Sequence, residues 1–581
     1  MIDKGRKLRA FCARILVLGL LAIFTLAFAG HSSAQASSNA AQPTVGGPTQ
    51  HVQLEGELQI LNEDLKSGAR VTYSLKTADG KHVPLHFQKN PPTHLLTGDH
   101  VQADGQLSSG SLILYSGSNV RTKTPTPTPT PTSIPVPYTF GTQYTLIILA
   151  NFQDDAVQPY TISDVQAAYS GPVNDFVGGN SYGQTSILPT VVGWYTIPDS
   201  STTCDINQIA TDANNAATAA GVNLSSYTRY VYFFPYTSAC AFGGASNVGG
   251  KPSQSWINGT VDPHVLDHEF GHAFGLWHSH LLDCGTSATI CSNGNLVEYG
   301  DLVDTMGVAQ TVAPEYNAFQ KERLGWLNYG VSPSTLTVQS SGTYTISPYE
   351  LEGAGPNALK ILQSTNSTTG AKTWYYLEAR QATGIDAFLT NGTCPQCYTE
   401  NETTGVLFHL GTDSDGNSSD LIDMTPATPT YGNWWDSSLV AGQSFTDSTA
   451  GVTFNVTSVS STGATVQITI NGSSASSGPL TTSVITNQSS YLPGQTVGIT
   501  VTAMSGTSPA PGVSVSATVT NPNGNSTTLN GRTGSVGTAS LSYKLSKNAP
   551  GGTYQVGASA TSSTTSAAAA TAGTNASFTV Q

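Results

Sequence analysis

The sequence LDHEFGHAFGLWHSH, Leu266–His280, holds four of the chain's twelve histidines and a single glutamate. His268 and His272 are four positions apart, so a helix through this stretch would put both imidazoles on one face. Gly275 lets the chain turn sharply after the second histidine, and His278 can then approach from a third direction. The spacing predicts three neutral histidines around one zinc ion, with a fourth position left open for water.

Glu269 follows the first histidine directly, and its carboxylate can accept a proton from water at the open position. A structural zinc site would be closed by four ligands and would have no use for an adjacent base. The spacing favours His278 over His280 or Asp283 as the third ligand. We expect His280 to face solvent or to lie just outside the ligands.

A methionine supplies a second signal. Met306, within YGDLVDTMG at residues 299–307, lies 28 residues after His278. With the histidine motif, it makes the chain resemble the metzincin metallopeptidases, which place a methionine turn below the metal. Some metzincins have a tyrosine ligand two residues after this methionine, but Val308 stands there, so we assign none. The resemblance implies zinc as the metal, with these roles: His268, His272 and His278 as ligands, Glu269 as catalytic base and Met306 as the turn residue.

Within that class the chain resembles the gametolysin family over residues 144–326. The resemblance is carried by TLIILANFQDD, SYGQTSI, VVGWYTIP, GGASNVGGKPSQSWINGT and YGDLVDTMG. It implies an α/β catalytic domain with a mixed sheet and a zinc-binding helix. It also implies a short, open cleft edge from about Ala245 to Asn258, where a peptide substrate could add as a strand.

The sequence on either side of this region alternates apolar and polar residues between turn residues, which is typical of β-strands. The predicted fold class is therefore multidomain, with an α/β metzincin-like catalytic domain flanked by all-β domains. The last segment resembles bacterial immunoglobulin-like modules. The predicted segments are a signal peptide (1–36), a small β-barrel or sandwich (51–120), a Thr/Pro linker (121–137), the catalytic domain (138–330), a β-sandwich (331–472) and an immunoglobulin-like β-sandwich (479–581).

The first 36 residues combine a basic start, an apolar run and the small residues Ala34 and Ala36, which predicts a secreted protein. Their removal takes away five of the 22 basic and one of the 36 acidic residues, which leaves a net charge of −18. Such a charge argues against nucleic acid or an anionic membrane as partner, and no later segment is apolar enough to insert into a bilayer. Six cysteines remain, and we expect sequential disulfides: 204 with 240, 284 with 291 and 394 with 397.

Other candidate sites carry weaker signals. Glu378 and Asp386 could be paired carboxylates for glycoside hydrolysis, but surface or salt-bridge roles are favoured. His51 and His409 are isolated among predicted strands, and we expect structural roles for both. Asp and Asn residues at 411–420 permit structural calcium without requiring it.

The sequence predicts a secreted zinc endopeptidase that cleaves extracellular proteins or glycoproteins through a metal-activated water with Glu269 as general base. The alternative is a non-catalytic adhesion or matrix-binding protein whose peptidase domain is vestigial. We expect a monomer whose β domains could bind a cell-surface or matrix ligand. No cysteine lies between Ala36 and Cys204, so a cysteine-switch prodomain is excluded there. Residues 51–120 could instead block the cleft or bind a ligand, and cutting in the linker is a plausible activation step.

Overall fold

The structure is a computed structural model. It describes residues 50–65, 68–123, 135–307, 313–353, 355–389, 401–428, 436–470, 480–505, 508–509, 513–533, 537–561 and 575–581. The predicted signal peptide, most of the Thr/Pro linker, Val308 and the Cys394–Cys397 pair lie outside these ranges. Everything below refers to the unit formed by residues 48–581.

The first sheet runs through both the N-terminal β segment and the predicted catalytic region. Its strand order in the described residues is β6-β4-β5-β3-β2-β1-β10-β11-β9-β7-β8. Strands β7 and β9 coincide with the apolar runs YTLIILANF and RYVYFFP. The strands are β1 (Gln50–Leu65), β2 (Gly68–Lys76), β3 (His82–Phe87), β4 (His100–Ser108), β5 (Ser111–Leu114), β6 (Val120–Thr122), β7 (Gly141–Phe152), β8 (Thr185–Ile197), β9 (Arg229–Phe234), β10 (Phe242–Asn247) and β11 (Ser253–Asn258).

Helices cover both faces of the half of this sheet that contains β7 to β11. Alternate side chains of β7 divide between two cores, because successive residues of a strand point to opposite faces. Leu149 packs with one group of helices, which includes α4, and Ile148 packs with α3 on the other face. The helices are α1 (Ile162–Ala168), α2 (Asn174–Asn180), α3 (Ile206–Ala219), α4 (Pro263–Phe274) and α5 (Ala318–Leu324).

Two further sheets follow, and the first of them starts inside the predicted catalytic region. The larger sheet has the order β13-β12-β19-β18-β17-β16-β14 with β20 paired to β18, and the smaller has the order β15-β23-β22-β21. Their strands are β12 (Ser279–Asp283), β13 (Asn295–Val297), β14 (Thr335–Val338), β15 (Gly342–Ile346), β16 (Ala358–Thr365), β17 (Lys372–Glu378), β18 (Gly405–Thr412), β19 (Asp415–Ile422), β20 (Leu439–Val440), β21 (Ser444–Asp447), β22 (Val452–Ser460) and β23 (Gly463–Ile470).

Strand β12 joins these two parts of the chain. It begins directly after His278 and runs parallel to β19, with Ser279 opposite Ser419 and Leu282 opposite Ile422. The strand that follows the third predicted ligand is therefore held by residues far along the chain. The domain boundary at residue 330 stays a prediction, but the backbone hydrogen bonds of this sheet cross it.

The C-terminal residues form two packed sheets with a core of apolar side chains, among them Val501, Val515 and Phe578. The orders are β24-β26-β27 with β30 paired to β26, and β25-β32-β31-β28-β29. The strands are β24 (Leu480–Thr486), β25 (Ser490–Tyr491), β26 (Thr496–Ser505), β27 (Ser508–Pro509), β28 (Ser514–Thr520), β29 (Ser526–Arg532), β30 (Thr538–Lys544), β31 (Gly552–Thr561) and β32 (Ala576–Val580).

Two of the three predicted disulfides are confirmed. Cys204 is bonded to Cys240, and Cys284 is bonded to Cys291. Disulfides form in oxidising compartments, which agrees with an extracellular protein. None of the helices in the described ranges has the length and hydrophobicity that a membrane crossing requires.

A buried group of charges lies between α5 and the larger of these sheets. Arg380 contacts both Glu378, with Nη2 3.1 Å from Oε1, and Asp386, with Nη1 2.5 Å from Oδ2, and all three side chains are fully buried. His409 Nε2 lies 3.0 Å from Asp301 Oδ2, also fully buried. Of the roles considered for Glu378 and Asp386, the salt bridge is the one the structure contains.

We expect His409 to contribute to the pH dependence of stability. Burial alone would lower the pKa of His409, but the Asp301 carboxylate, followed by Glu378, outweighs burial and raises that pKa. Because the pKa is raised in the folded state, the stabilisation is present below the unfolded pKa of about 6.5 and is lost as pH rises through the folded value. The measurement is urea unfolding of the wild type and of His409→Gln at pH values from below the unfolded pKa to above the folded pKa.

The free-energy difference between these two proteins should shrink as the pH rises. His51→Gln is the matched control, because its imidazole is exposed (70% of the side chain), and its difference from the wild type should stay small and constant. A pH-independent effect of His409→Gln would contradict the expectation.

Candidate metal centre

The helix that carries the first two histidines is well defined at both ends. The Asp262 side chain accepts a hydrogen bond from His264 N, and Pro263 occupies the first turn, where its missing N–H costs nothing. Gly275 ends the helix with φ 107°, a left-handed conformation that glycine adopts without strain. A Cβ at Gly275 would also lie 2.8 Å from Val136 Cγ1. The sharp turn predicted at this glycine is therefore present.

The structure brings the three predicted ligands together. His268 and His272 lie on one face of α4, with ring centroids 4.9 Å apart, and His278 packs against both. All three are buried, at most 5% exposed. His272 Nε2 and His278 Nε2 are 3.1 Å apart. The three Nε2 atoms and one oxygen of Asp64 all lie within 4.8 Å of one another.

Each of the three imidazoles is fixed through its other nitrogen. His268 Nδ1 lies 2.7 Å from Thr305 O, and His272 Nδ1 lies 2.9 Å from Leu276 O. His278 Nδ1 contacts the Glu298 carboxylate. Because these oxygens act as acceptors, each Nδ1 carries a proton, and in the neutral imidazole each Nε2 then presents its lone pair. Partners of this kind hold metal-binding histidines in one tautomer and orientation.

Asp64 of β1 supplies a fourth group, which sequence reasoning missed. Its Oδ1 is 2.9 Å from His278 Nε2, and its Oδ2 is 3.3 Å from His268 Nε2 and 3.9 Å from His272 Nε2. Four ligands about 2 Å from a tetrahedral zinc are about 3.3 Å from one another. The distances from Asp64 to the imidazoles and between His272 and His278 run from 2.9 to 3.9 Å, and a shared cation would remove the repulsion between these atoms. The residues therefore fit zinc, and Asp64 lies where the sequence predicted an open fourth position.

Two neighbours hold Asp64 and the histidines in this arrangement. The Tyr299 hydroxyl donates to Asp64 Oδ1 at 2.7 Å, and its ring lies 4.3 Å from that of His278. Asn62 Nδ2 lies 3.0 Å from Nε2 of both His272 and His278. Neither residue belongs to the histidine motif, and no local signal in the sequence distinguishes them.

Glu269 is buried beside the histidines and is 1% exposed. Its carboxylate has room there because residue 244 is a glycine. A Cβ built on Gly244 would lie 2.0 Å from Glu269 Oε1, so no side chain at 244 could coexist with this carboxylate position. Among the described residues, Glu269 Oε2 has no hydrogen-bond partner. Burial, and then the Asp64 carboxylate, raises the pKa of Glu269 well above its usual range. A buried carboxylate with a raised pKa is suited to accept and return a proton.

Met306 lies under the helix, as the metzincin resemblance implies. It is fully buried, and a Cβ on Gly271 of α4 would lie 2.2 Å from its Sδ. Its carbonyl accepts a hydrogen bond from Ser279 N at 2.9 Å, which ties the methionine segment to the start of β12. The glycine at 271 leaves room for the methionine that packs on it.

His280 does not face solvent, which corrects one of the two expectations for it. It is 4% exposed, with Nε2 3.3 Å from Glu298 Oε2 and Nδ1 3.3 Å from Asp420 Oδ1. Burial alone would lower the pKa of His280, but hydrogen bonds and charges from Asp420 and Glu298 outweigh it and raise that pKa to about 10. His280 thus lies behind the ligands, and it shares Glu298 with His278.

The structure also differs from the prediction of an open cleft edge. The predicted open edge, Ala245–Asn258, comprises the end of β10 and all of β11. Strand β11 is interior, between β10 and β9, so only β10 borders the cleft. The free side of β10 is paired with β1, antiparallel, with Leu61 opposite Asn247 and Leu65 opposite Phe242. The edge is therefore covered by the N-terminal segment.

Comparison with known families agrees with the resemblance read from the sequence. Residues 148–403 match the model of gametolysin peptidase M11, and residues 482–580 match the MG2 domain. The predicted resemblance to the gametolysin family, with an immunoglobulin-like module at the C-terminus, is thereby confirmed. No curated protein sequence matches the chain.

Similarity to solved structures is weak. Metalloproteinase-II from Bacteroides fragilis is 11% identical, with 48% of this chain and 91% of that chain covered and a TM-score of 0.22. An alpha-2-macroglobulin mutant from Salmonella is 13% identical, with 36% of this chain covered and a TM-score of 0.15, and the match spans only 12% of that protein. A tetra-tandem repeat of a large adhesion protein is 16% identical, with 41% and 50% covered and a TM-score of 0.15. With TM-scores this low, these structures support no conclusion on function.

Proposed function

Because residues 148–403 match the gametolysin peptidase family, we propose that this chain is a secreted zinc-dependent endopeptidase that cleaves extracellular proteins. The proposal assigns His268, His272 and His278 as zinc ligands and Glu269 as the general base. The observation that carries it is the convergence of three Nε2 atoms, each oriented through Nδ1, next to a buried carboxylate. A structural zinc site would not need that carboxylate.

Each group has a distinct part in the proposed reaction. A zinc ion held by the three imidazoles would acidify a water molecule and polarise the carbonyl of the scissile peptide bond. Glu269 would take a proton from the attacking water and deliver it to the nitrogen of the leaving amine.

The substrate would be an extended peptide. With β1 displaced, strand β10 would offer its backbone N–H and C=O groups at the cleft side of the sheet, and a peptide that pairs with it would run past the histidines. Recognition through backbone groups requires an extended chain and is compatible with many sequences. We therefore propose unfolded or loop segments of proteins as the substrate class.

Removal and restoration of the metal test this proposal. We expect the chain, after limited trypsin treatment that cuts at the exposed Arg121 and Lys123 and after trypsin inhibition, to hydrolyse casein. Dialysis against a chelator should reduce hydrolysis to background, and Zn²⁺, but not Mg²⁺, should restore it, because a set of imidazoles binds zinc in preference to a hard cation. Zinc content per chain is measured in the same samples.

Two variants sharpen this experiment. His272→Ala removes a buried ligand and should lose both zinc and hydrolysis, whereas His51→Ala, an exposed histidine far along the sequence, should lose neither. The non-catalytic adhesion alternative predicts no hydrolysis before or after trypsin, with or without zinc. That result would sink the proposed function.

A further inference from the structure

Strand β1 pairs both with strands of the N-terminal segment and with the strand at the cleft. Its first half, Gln50–Glu57, pairs with β4 of the N-terminal segment, and its second half, Glu57–Leu65, pairs with β2. The last residues pair on their other side with β10 at the cleft. The end of β1 therefore lies where an extended peptide would add to the sheet.

The side chains at the end of β1 divide between the two faces of the sheet. Asn62 and Asp64 point towards the histidines, because residues two apart in a strand share a face. Leu61 and Leu65 point the other way and pack against the core that contains α3. The pairing register shifts between Glu63 and Leu65, so Asp64 itself lies at an irregularity in the ladder.

The carboxylate of Asp64 would supply a fourth ligand to a metal ion held by the three histidines. It is the one charged group among the described residues that joins the three histidines there. Its Oδ2 has no hydrogen-bond partner among those residues, while Oδ1 accepts from Tyr299. An oxygen held among three imidazole lone pairs is placed to bind a cation, since carboxylate oxygen is an ordinary zinc ligand.

The hydrophobic core of the N-terminal segment also includes residues from the cleft side. Val248, which follows β10, and Trp277, which precedes His278, are buried in the same cluster as Leu58 and Ile60 of β1. Backbone bonds extend the contact: Val248 N donates to Ile60 O at 3.0 Å. The side chain beside the third ligand is thus part of the N-terminal core.

We infer that residues 50–123 are an internal inhibitor of the proposed peptidase, in which β1 occupies the substrate strand position and Asp64 the fourth metal position. The inference rests on the proposed function. A module that only bound a separate ligand would have no reason to place a carboxylate among the three histidines. While Asp64 is bound, neither a water molecule nor a peptide carbonyl can reach that position. Cutting the chain at residues 121–137 would remove the covalent tether, and separation of β1 from β10 would then open the site.

Cobalt substitution and an active-site probe test the inference on the full mature chain. Co²⁺ replaces zinc and reports its ligands through visible absorption, and a peptide hydroxamate reports access to the metal. We compare the wild type, Asp64→Ala, the isosteric Asp64→Asn and the control Glu57→Ala, an exposed carboxylate on the same strand. Both Asp64 variants should change the cobalt spectrum and bind the hydroxamate about 10- to 100-fold more tightly than the wild type, and Glu57→Ala should match the wild type.

Casein hydrolysis by the uncut chains is the third readout. It should be near background in the wild type and in Glu57→Ala, and should rise in both Asp64 variants and in wild type cut at the linker. Wild-type spectra and wild-type hydroxamate affinity in both Asp64 variants would overturn the inference. If the spectrum and the affinity change as expected but no protein hydrolyses casein, the inhibitor contact stands and the proposed peptidase function fails.

Discussion

Replacement of Glu269 by glutamine is expected to lower the kcat and the kcat/KM of the linker-cut chain by about 10²–10⁴-fold, the usual contribution of a general base. Glutamine keeps the size of the side chain, which matters because Gly244 leaves no spare room around Oε1. It cannot take a proton from the attacking water. The measurement is steady-state hydrolysis of a fluorogenic peptide, with zinc content determined in parallel.

The zinc content of Glu269→Gln should equal that of the wild type, because the three imidazoles and their Nδ1 partners are untouched. Glu352→Gln is the matched control: the same change at an exposed glutamate should leave both quantities unchanged. Undiminished hydrolysis in Glu269→Gln would show that another group accepts the proton. Loss of zinc together with activity would show that the carboxylate supports the metal site instead.

The largest loss of stability is expected from Arg380→Met. Methionine fills much of the volume but leaves Glu378 and Asp386 buried without their cation, and removal of one partner from a buried ion pair costs about 3–5 kcal/mol. Arg380 also donates from Nη2 to Glu315 O at 3.2 Å. The free energy of unfolding, measured in urea, should fall accordingly.

A compensated variant separates the charge effect from lost packing. Arg380→Met combined with Glu378→Gln and Asp386→Asn removes the uncompensated charges and should recover part of the loss. The control Arg121→Met changes an exposed arginine and should alter stability by no more than about 0.5 kcal/mol. A loss below about 1 kcal/mol in Arg380→Met would contradict a buried-charge role and match an exposed pair.

The parts of the site that depend on local spacing could be predicted from the sequence. The i and i+4 histidines, the turn at Gly275 and the methionine segment all lie within 39 residues, from His268 to Met306, and their geometry follows from helix periodicity and backbone conformation. The strands β7 and β9 and the helix α3 were predictable for the same reason. Each is a continuous apolar or periodic run.

The parts that depend on long-range pairing could not be predicted. Asp64 is separated from His278 by 214 positions, and an isolated aspartate in a polar strand carries no signal of its distant neighbours. His280 was expected in solvent as one alternative because polar side chains are mostly exposed, but its carboxylate partners come from β19 and from the segment after β13. The prediction of a free cleft edge was wrong. Unpaired strand edges attract other strands, and β1 is available within the same chain.

The pairing of β12 with β19 gives the metal a thermodynamic role beyond chemistry. A ligand that binds only the folded state stabilises every element whose folding it requires, by an amount that grows with the logarithm of its free concentration. His278 directly precedes β12, whose ladder to β19 spans Ser279 to Leu282. Zinc bound at His278 would thus stabilise the β-sheet formed by residues 335–422, which contains none of the proposed catalytic residues. By the same coupling, a substitution that destabilises that sheet would lower the affinity of the site for zinc.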